Sequence, residues 1–394
     1  MVSAAYDHLL AIVIVGLIFI GTVVAMPTLS FINNQTTDQN QLKNLALNVF
    51  NAILLDAGDP PNWGSMDPFY MNDPRIRRFG LASADSQTPY VLDPDKIQRL
   101  VAGNPLNYCE YEYIRELLGL DSFAFQLRII PPFNVTNIDG TSILRKSPIE
   151  IDDDELSYSI KVTYLDGAPI PNAQVYATII YTTSGGRSWF PLGGGNDLSL
   201  VIINRPVIYT DAVGICNDRV ELDSEPDDVI VILRITTAEV CSLVVTFGTT
   251  PADDIAKINL VGDTLILTMP DSVPRANRWV DHVILVNHEG YEFIYNGSGR
   301  PGSPEDMLNY GCFRVWSREF NGLRKKNPVI FVLAFWVLGQ EVIIAGPYHN
   351  LFGYTVFEYG ESPVASSPGS VVRLQRSVII TGQSYIAEFW LWKE

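Results

Sequence analysis

Leu9 to Met26 reads LLAIVIVGLIFIGTVVAM, 18 residues without a charge. As an α-helix this run rises about 27 Å, close to the roughly 30 Å hydrocarbon core of a bilayer. Its reading decides the fold. A retained apolar helix places everything after it beside a membrane or inside a bundle of like helices. A cleaved secretory signal fits less well, because no basic residue precedes the run, and Pro27 and Leu29 rather than a small-x-small pair follow it.

Leu42, Leu45, Val49 and Ile53 then recur at spacings of three and four, Ala46 and Phe50 widen the stripe, and Gly58 with Pro60-Pro61 stops it. The pattern predicts one long helix over 1–57, with an apolar transmembrane or assembly half at 9–31 and an amphipathic half at 36–57. Pro27 removes a backbone donor and marks a joint between them.

Residues 58–150 read as a head. Loops rich in Pro, Gly, Asp and Asn carry Trp63, Phe69, Tyr70 and Phe79 as anchors. Two short helices follow, one after Pro94 and one from Tyr111 to Leu118, and then a strand in which Phe123, Phe125, Leu127 and Ile129 alternate. Residues 151–249 carry strand-like runs at Tyr158–Tyr164, Val175–Tyr181, Leu198–Ile203, Val229–Thr236 and Val240–Phe247, the rhythm of an antiparallel sandwich. Residues 250–394 form a second β-rich domain, with its last strand expected in the head sheet. Val329 to Gly339 is nearly all apolar but too short to span a bilayer as a helix, so it reads as a central strand. The expected class is α+β, mostly β: a long N-terminal hydrophobic α-helix followed by antiparallel β-sandwich domains.

With 18% charged and 11% aromatic residues the chain is not disordered, and a net charge of −17 argues against nucleic acid. Cys109, Cys216, Cys241 and Cys312 show no C-x-x-C spacing. Cys216 and Cys241 fall in one β domain and could staple it, leaving Cys109 and Cys312 paired or free. Three N-x-[ST] sequons, at Asn34, Asn134 and Asn296, together with the even cysteine count, favour an extracytoplasmic chain with candidate glycans.

No catalytic constellation stands out. His8, His282, His288 and His349 lack any ligand spacing, Ser298 lacks a nucleophile-elbow frame, and Gly193-Gly194-Gly195 is not followed by Lys-Ser/Thr. The acidic runs Asp152–Glu155, Asp223–Asp228 and Asp253-Asp254 read as solvated turns. Their hard oxygens could hold Ca²⁺, the cofactor to expect if there is one, and otherwise neither metal nor cofactor is expected.

The N-terminal run resembles the assembly helix of archaeal type IV pilin-like surface proteins. In that family a peptidase cuts after a small residue and a proline follows twenty-one residues into the mature helix; Ala5, Tyr6 and Pro27 fit that frame. Two departures stand beside it: no Lys or Arg precedes Ala5, and Leu10 occupies the position of the bacterial glutamate. Gly58 to Gly64, Phe79 to Ala82, Leu117 to Leu120 and Phe389 to Trp392 also look like that family. Val162 to Val175 with Tyr209 to Gly214 is similar to immunoglobulin-like repeats of surface proteins. The resemblance implies a non-enzymatic subunit of an extracellular filament, membrane-inserted before assembly. It also implies homo-oligomerisation through Leu9, Ala11, Gly16, Gly21 and Pro27, with the small residues Ala11, Gly16 and Gly21 permitting close helix approach. The alternative is a monomeric membrane-anchored adhesin or receptor.

Overall fold

The computed structural model describes residues 39–394 apart from residues 103, 105–106, 144–146, 184–198, 238–239, 248–256, 271–278, 288–289, 297–306, 311–312, 324–329, 338–339, 347–355 and 364–370. Helix α1 covers residues 39–55. Leu42, Ala46, Val49, Phe50, Ile53 and Leu54 share one face, and all are buried. Leu81 N–H donates to Ile53 O at 2.8 Å and Ala82 N–H to Asp56 O at 3.1 Å, so the segment at 81–82 satisfies carbonyls that the last turn leaves open.

These observations correct the expected fold class. A long N-terminal hydrophobic helix over 1–57 is not seen. Among the described residues the other α-helices are the short α2 (Pro94–Gln98) and α3 (Tyr111–Leu117), none is long and apolar enough to cross a membrane, and the chain is mostly β. The physical reason lies in α1 itself. Its stripe is one-sided, which suits a helix lying on a sheet rather than one surrounded by apolar neighbours. The apolar run at 9–26 lies outside the described residues.

The head sheet begins with β1 (Val91–Leu92) and β2 (Phe123–Ile130). The chain then leaves it for two sandwiches. The first comprises β3 (Asn134–Thr136), β4 (Ile149–Asp152), β5 (Glu155–Thr163), β6 (Gln174–Thr183), β7 (Ser199–Asn204), β8 (Ile208–Tyr209), β9 (Ile215–Glu221), β10 (Asp228–Thr237) and β11 (Val240–Phe247). β5 carries β3 and β4 on one side and β9 on the other, and the facing sheet runs β11-β10-β6-β7, with β8 also on β6. The second sandwich comprises β12 (Lys257–Val261), β13 (Thr264–Pro270), β14 (Trp279–Val286), β15 (Tyr291–Asn296), β16 (Met307–Tyr310), β17 (Phe313–Glu319), β18 (Ile330–Val337) and β19 (Gln340–Gly346). Its sheets run β12-β13-β17-β16 and β15-β14-β18-β19.

The two sandwiches stack face to face. On β10, Val229, Val231 and Leu233 pack inside the first sandwich, while Ile230 and Ile232 pack with Ile284, Val286, Ile330, Val332 and Ile343 of the second. Phe331 and Leu333 turn the other way, into the second sandwich's own core. Each middle sheet is therefore buried on both faces, and its strands read as continuous apolar runs rather than alternating ones.

The chain then returns to the head as β20 (Phe357–Gly360), β21 (Val371–Ile380) and β22 (Gln383–Lys393). The completed sheet runs β1-β21-β22-β2-β20, with β1 parallel to β21. Phe125, Leu127, Ile129, Tyr385, Phe389 and Leu391 meet α1. The Phe50 and Phe389 rings stack with centroids 5.5 Å apart and planes 11° apart. The position 249/250 falls between β11 of the first sandwich and β12 of the second, β3 and the start of β4 precede residue 151 and pair with β5, and the chain rejoins the head sheet at β20.

Side chains of the head bond the sandwiches directly. Gln98 Nε2 donates to Leu260 O at 3.0 Å, Gly262 N–H to Asp95 Oδ2 at 2.8 Å, and Leu243 N–H to Gln383 Oε1 at 3.1 Å. The last of these satisfies a buried donor on β11, an edge strand of its sheet.

Candidate functional site

A dense polar construction surrounds the exit of α1, where the chain passes from helix to head. Gly58, at φ +81°, turns the chain; a Cβ there would lie 2.7 Å from Arg78 O. Asp56 binds both sides of this turn, accepting Gly58 N–H at 2.8 Å through Oδ1 and pairing with Arg78 Nε at 2.8 Å through Oδ2. Asp59 N–H donates to Arg78 O at 2.9 Å and Arg77 N–H to Asp59 O at 2.7 Å.

Trp63 fills the space behind this turn. It is wholly buried, its Nε1 donates to Gly80 O at 2.9 Å, and its ring lies 5.8 Å from that of Phe79. Two glycines make the packing possible: a Cβ on Gly80 would lie 2.2 Å from Asp56 O, and one on Gly64 2.5 Å from Lys96 N. Lys96, wholly buried in the middle of α2, donates from Nζ to Ala57 O at 2.8 Å and to Ala82 O at 2.6 Å, with Asp93 Oδ2 at 3.8 Å. One ammonium thus holds the helix exit, the capping segment and α2 together.

A second charged construction lies on the sheet face turned away from α1. Glu388 is only 1% exposed. Arg373 and Gln375 donate to its Oε1, Arg128 Nη1 to Oε2 at 3.1 Å and Trp390 Nε1 to Oε2 at 3.4 Å. Burial alone raises this carboxyl, but the bonds from Arg373, Gln375 and Trp390, with the Arg373 charge, outweigh it and hold the group below its ordinary 4.5. Asp73 is likewise held below its usual range, chiefly by the Arg75 side chain, with burial opposing.

Sequence reasoning passed over Lys96 and Glu388. The available signal was an ionisable residue set inside an otherwise apolar element, as in Tyr385-Ile386-Ala387-Glu388-Phe389-Trp390.

The residues singled out on the sequence are placed as follows. Ala5, Tyr6, Leu9, Ala11, Gly16, Gly21, Pro27 and Asn34 lie outside the described residues, as do His8, His288, His349, Ser298, the glycines at 193–195 and Asp253-Asp254. Asn134 opens β3 opposite Thr163, and Asn296 ends β15. Cys109, Cys216 and Cys241 are free thiols in this structure. Cys216 lies on β9 beside Ile160 and Cys241 on β11 beside Thr236, in opposite sheets. Cys312 lies outside the described residues.

Asp152 to Glu155 forms the β4–β5 turn, where Asp154 O accepts Leu222 N–H at 2.7 Å and Glu155 pairs with Arg219. In the other acidic run, Asp228 Oδ2 accepts Ile343 N–H at 3.1 Å. Among the described residues no three His, Cys, Asp or Glu side chains gather as a metal-binding group. The stretches that resemble pilin-like proteins, 58–64, 79–82, 117–120 and 389–392, all contribute to one core around α1.

No protein-family model matches the chain, and no curated protein matches it. Among solved structures it is similar to Escherichia coli alpha-2-macroglobulin activated by porcine elastase, at 12% identity and a TM-score of 0.22, covering 63% of this chain and 23% of that one. It is also similar to Salmonella alpha-2-macroglobulin reacted with methylamine, at 10% identity and a TM-score of 0.20, covering 58% and 17%. The chain thus spans less than a quarter of the length of these proteins, and likeness at such scores carries no argument about fold or function.

Proposed function

We propose that the chain is a non-enzymatic structural subunit of an extracellular type IV pilin-like filament, attached through its apolar stretch at residues 9–26 and displaying two β-sandwiches outward. The observation that carries this reading is the continuity between that stretch and the head. Only residues 27–38 separate the apolar run from α1, and α1 is built into the head core through the Phe50–Phe389 stack and the Trp63–Lys96 knot. A tether needs no such rigid mounting; a subunit held in register by its neighbours does.

On this reading the protein sits in a membrane before assembly, homo-oligomerises through Leu9, Ala11, Gly16 and Gly21, and loses Met1 to Ala5 by cleavage before Tyr6. Asn34, Asn134 and Asn296 are candidate glycosylation positions. The experiment is shearing of native cells followed by intact-mass and N-terminal analysis of the released filaments. Recovery in filaments with Tyr6 at the N-terminus supports the reading. Recovery only as a detergent-soluble monomer overturns it in favour of a membrane-anchored adhesin or receptor.

A further inference from the structure

The head sheet ends in two open edges. Among the described residues no strand lies beyond β20, and beyond β21 lies only β1, which pairs at Ile379 and Ile380 alone. The hydrogen-bond pattern says which groups these edges present. Ile379 N–H donates outward to Tyr90 O, so on β21 the residues Val371, Arg373, Gln375 and Ser377 also turn their N–H and C=O away from β22. Glu361 N–H donates inward to Phe125 O, so on β20 Glu358 turns outward, with Val356 just before the strand. All of these outward-turned residues are exposed.

Between the edges runs a row of alternating charge. On the face turned away from α1, Arg128 on β2 bonds Glu358 of β20 through Nε at 2.9 Å and Glu388 of β22 through Nη1 at 3.1 Å. Glu388 in turn pairs with Arg373 of β21. The row reads Glu358, Arg128, Glu388, Arg373, with an acid at one edge and a base at the other, and both end side chains are 51% exposed. Arg128 shows that one guanidinium on this face bridges carboxylates of the strands on both its sides. Among the described residues Arg373 has such a carboxylate on one side only.

We propose that the head sheet pairs edge to edge with a second copy of this chain, β21 of one against β20 of the next, with Arg373 opposite Glu358. β20, β2, β22 and β21 alternate in direction, so a copy in the same orientation presents an antiparallel partner without being turned over. Arg373 and Glu358 both turn their backbone groups outward, as residues opposite each other in a hydrogen-bonded pair must. Their side chains lie on the same face, so the charge row continues from copy to copy. β21 carries no proline or bulge that would block the pairing. The contact joins two different surfaces, so it repeats as a ring or an open fibre rather than closing as a dimer. It goes beyond the filament reading and needs none of the residues at 9–26.

The test is disulfide trapping in the full-length chain in detergent, with Val356→Cys and Gln375→Cys, positions that stand opposite each other in this register. Between copies their Cα atoms would lie about 5.5 Å apart, within disulfide reach, but within one copy roughly 14 Å apart, across three strand spacings. Mild oxidation and a non-reducing gel should give a ladder of dimers, trimers and higher species for the double variant and monomer for either single variant. Adding Arg373→Gln should reduce the ladder several-fold, because Glu358 of the next copy loses its cation. In the unmodified chain, the outward amides of Glu358, Arg373 and Gln375 should exchange with deuterium more slowly as concentration rises. No ladder from the double variant with a native melting profile, dimers from a single variant, a ladder unchanged by Arg373→Gln, or edge exchange independent of concentration overturns the proposal. Sheared filaments that begin at Tyr6 yet form no edge disulfide would discard this contact and keep the filament reading.

Discussion

Ile129 on β2 and Phe357 on β20 lie directly opposite each other in the head sheet. The chain therefore leaves the head and re-enters it at one point, and both sandwiches are an insertion into what is otherwise a hairpin. Units whose ends lie close together can be added or removed with little effect on their host. Replacing residues 131–355 by Asn-Gly, which favours a two-residue hairpin turn, should leave a head that folds with α1 on its sheet. It should melt cooperatively but at a lower temperature than the head in the whole chain, since the bonds from Gln98, Asp95 and Gln383 to the sandwiches are lost. Circular dichroism without a cooperative transition would show that the head needs its insert.

The mounting of α1 rests on apolar contact more than on helix propensity. Phe50→Ala removes one ring of the Phe50–Phe389 stack from a wholly buried position and is expected to destabilise the head by about 3–5 kcal/mol. Leu55, one turn on, is 47% exposed, and Leu55→Ala should change stability by less than about 0.5 kcal/mol. Denaturant titration followed by far-ultraviolet dichroism separates the two. Equal effects would mean that α1 does not lie on the sheet as described.

What the sequence disclosed depended on whether one face of an element was wet. The stripe of α1 and the alternation at Phe123 to Ile129 have a polar side, so period and boundary could be read directly. The runs at Val229 to Leu233 and Ile330 to Val337 lack one. Such a run says that both faces are dry without saying what covers them, and the stacking of one sandwich on the other was invisible for that reason. The expected single helix over 1–57 failed through the same ambiguity. An uncharged run and an amphipathic stripe both suit helices, and period alone does not say whether they form one; the uncharged run lies outside the described residues. The knot at the helix exit depends on Gly80 and Trp63 meeting across 17 positions, and the Glu388 cluster joins three strands; neither pairing is encoded by local pattern.

Gly80→Ala tests the knot. The added methyl would sit 2.2 Å from Asp56 O, a backbone atom that cannot move without breaking the cap on α1. Overpacking of this kind costs about 1–3 kcal/mol, and the effect should appear as a lower head melting temperature with the sandwiches unchanged. An unchanged melting profile would mean that the helix exit relaxes freely.

Glu388 makes the head sensitive to acid. Its folded carboxyl lies below the ordinary 4.5, so the folded state binds this proton less readily than the unfolded chain does. The stability it contributes is therefore present above about pH 4.5 and is lost as the pH falls through the folded value. Glu388→Gln should flatten that acid limb and lower stability at neutral pH, because Arg128 and Arg373 lose their shared carboxylate. Stability measured against pH from 3 to 7 in both proteins checks this, and an identical acid limb would assign the acid sensitivity to other groups, Asp73 among them.

The free thiols give a chemical reading of the same architecture. Burial pushes the Cys109 thiol up to about 12 and that of Cys216 up to about 11. At pH 8 the thiolate fraction is then about 10⁻⁴ for Cys109 and 10⁻³ for Cys216, and only the thiolate attacks an alkylating reagent. Iodoacetamide should therefore leave both unlabelled in the native protein and label them fully once urea unfolds it. Cys241, half-buried on the edge strand β11, should react at an intermediate rate. Peptide mass mapping distinguishes the outcomes. Native labelling of Cys109 would show that the head core opens on the timescale of the reaction, whereas a peptide joining Cys216 to Cys241 would mean that the two sheets of the first sandwich are covalently stapled after all.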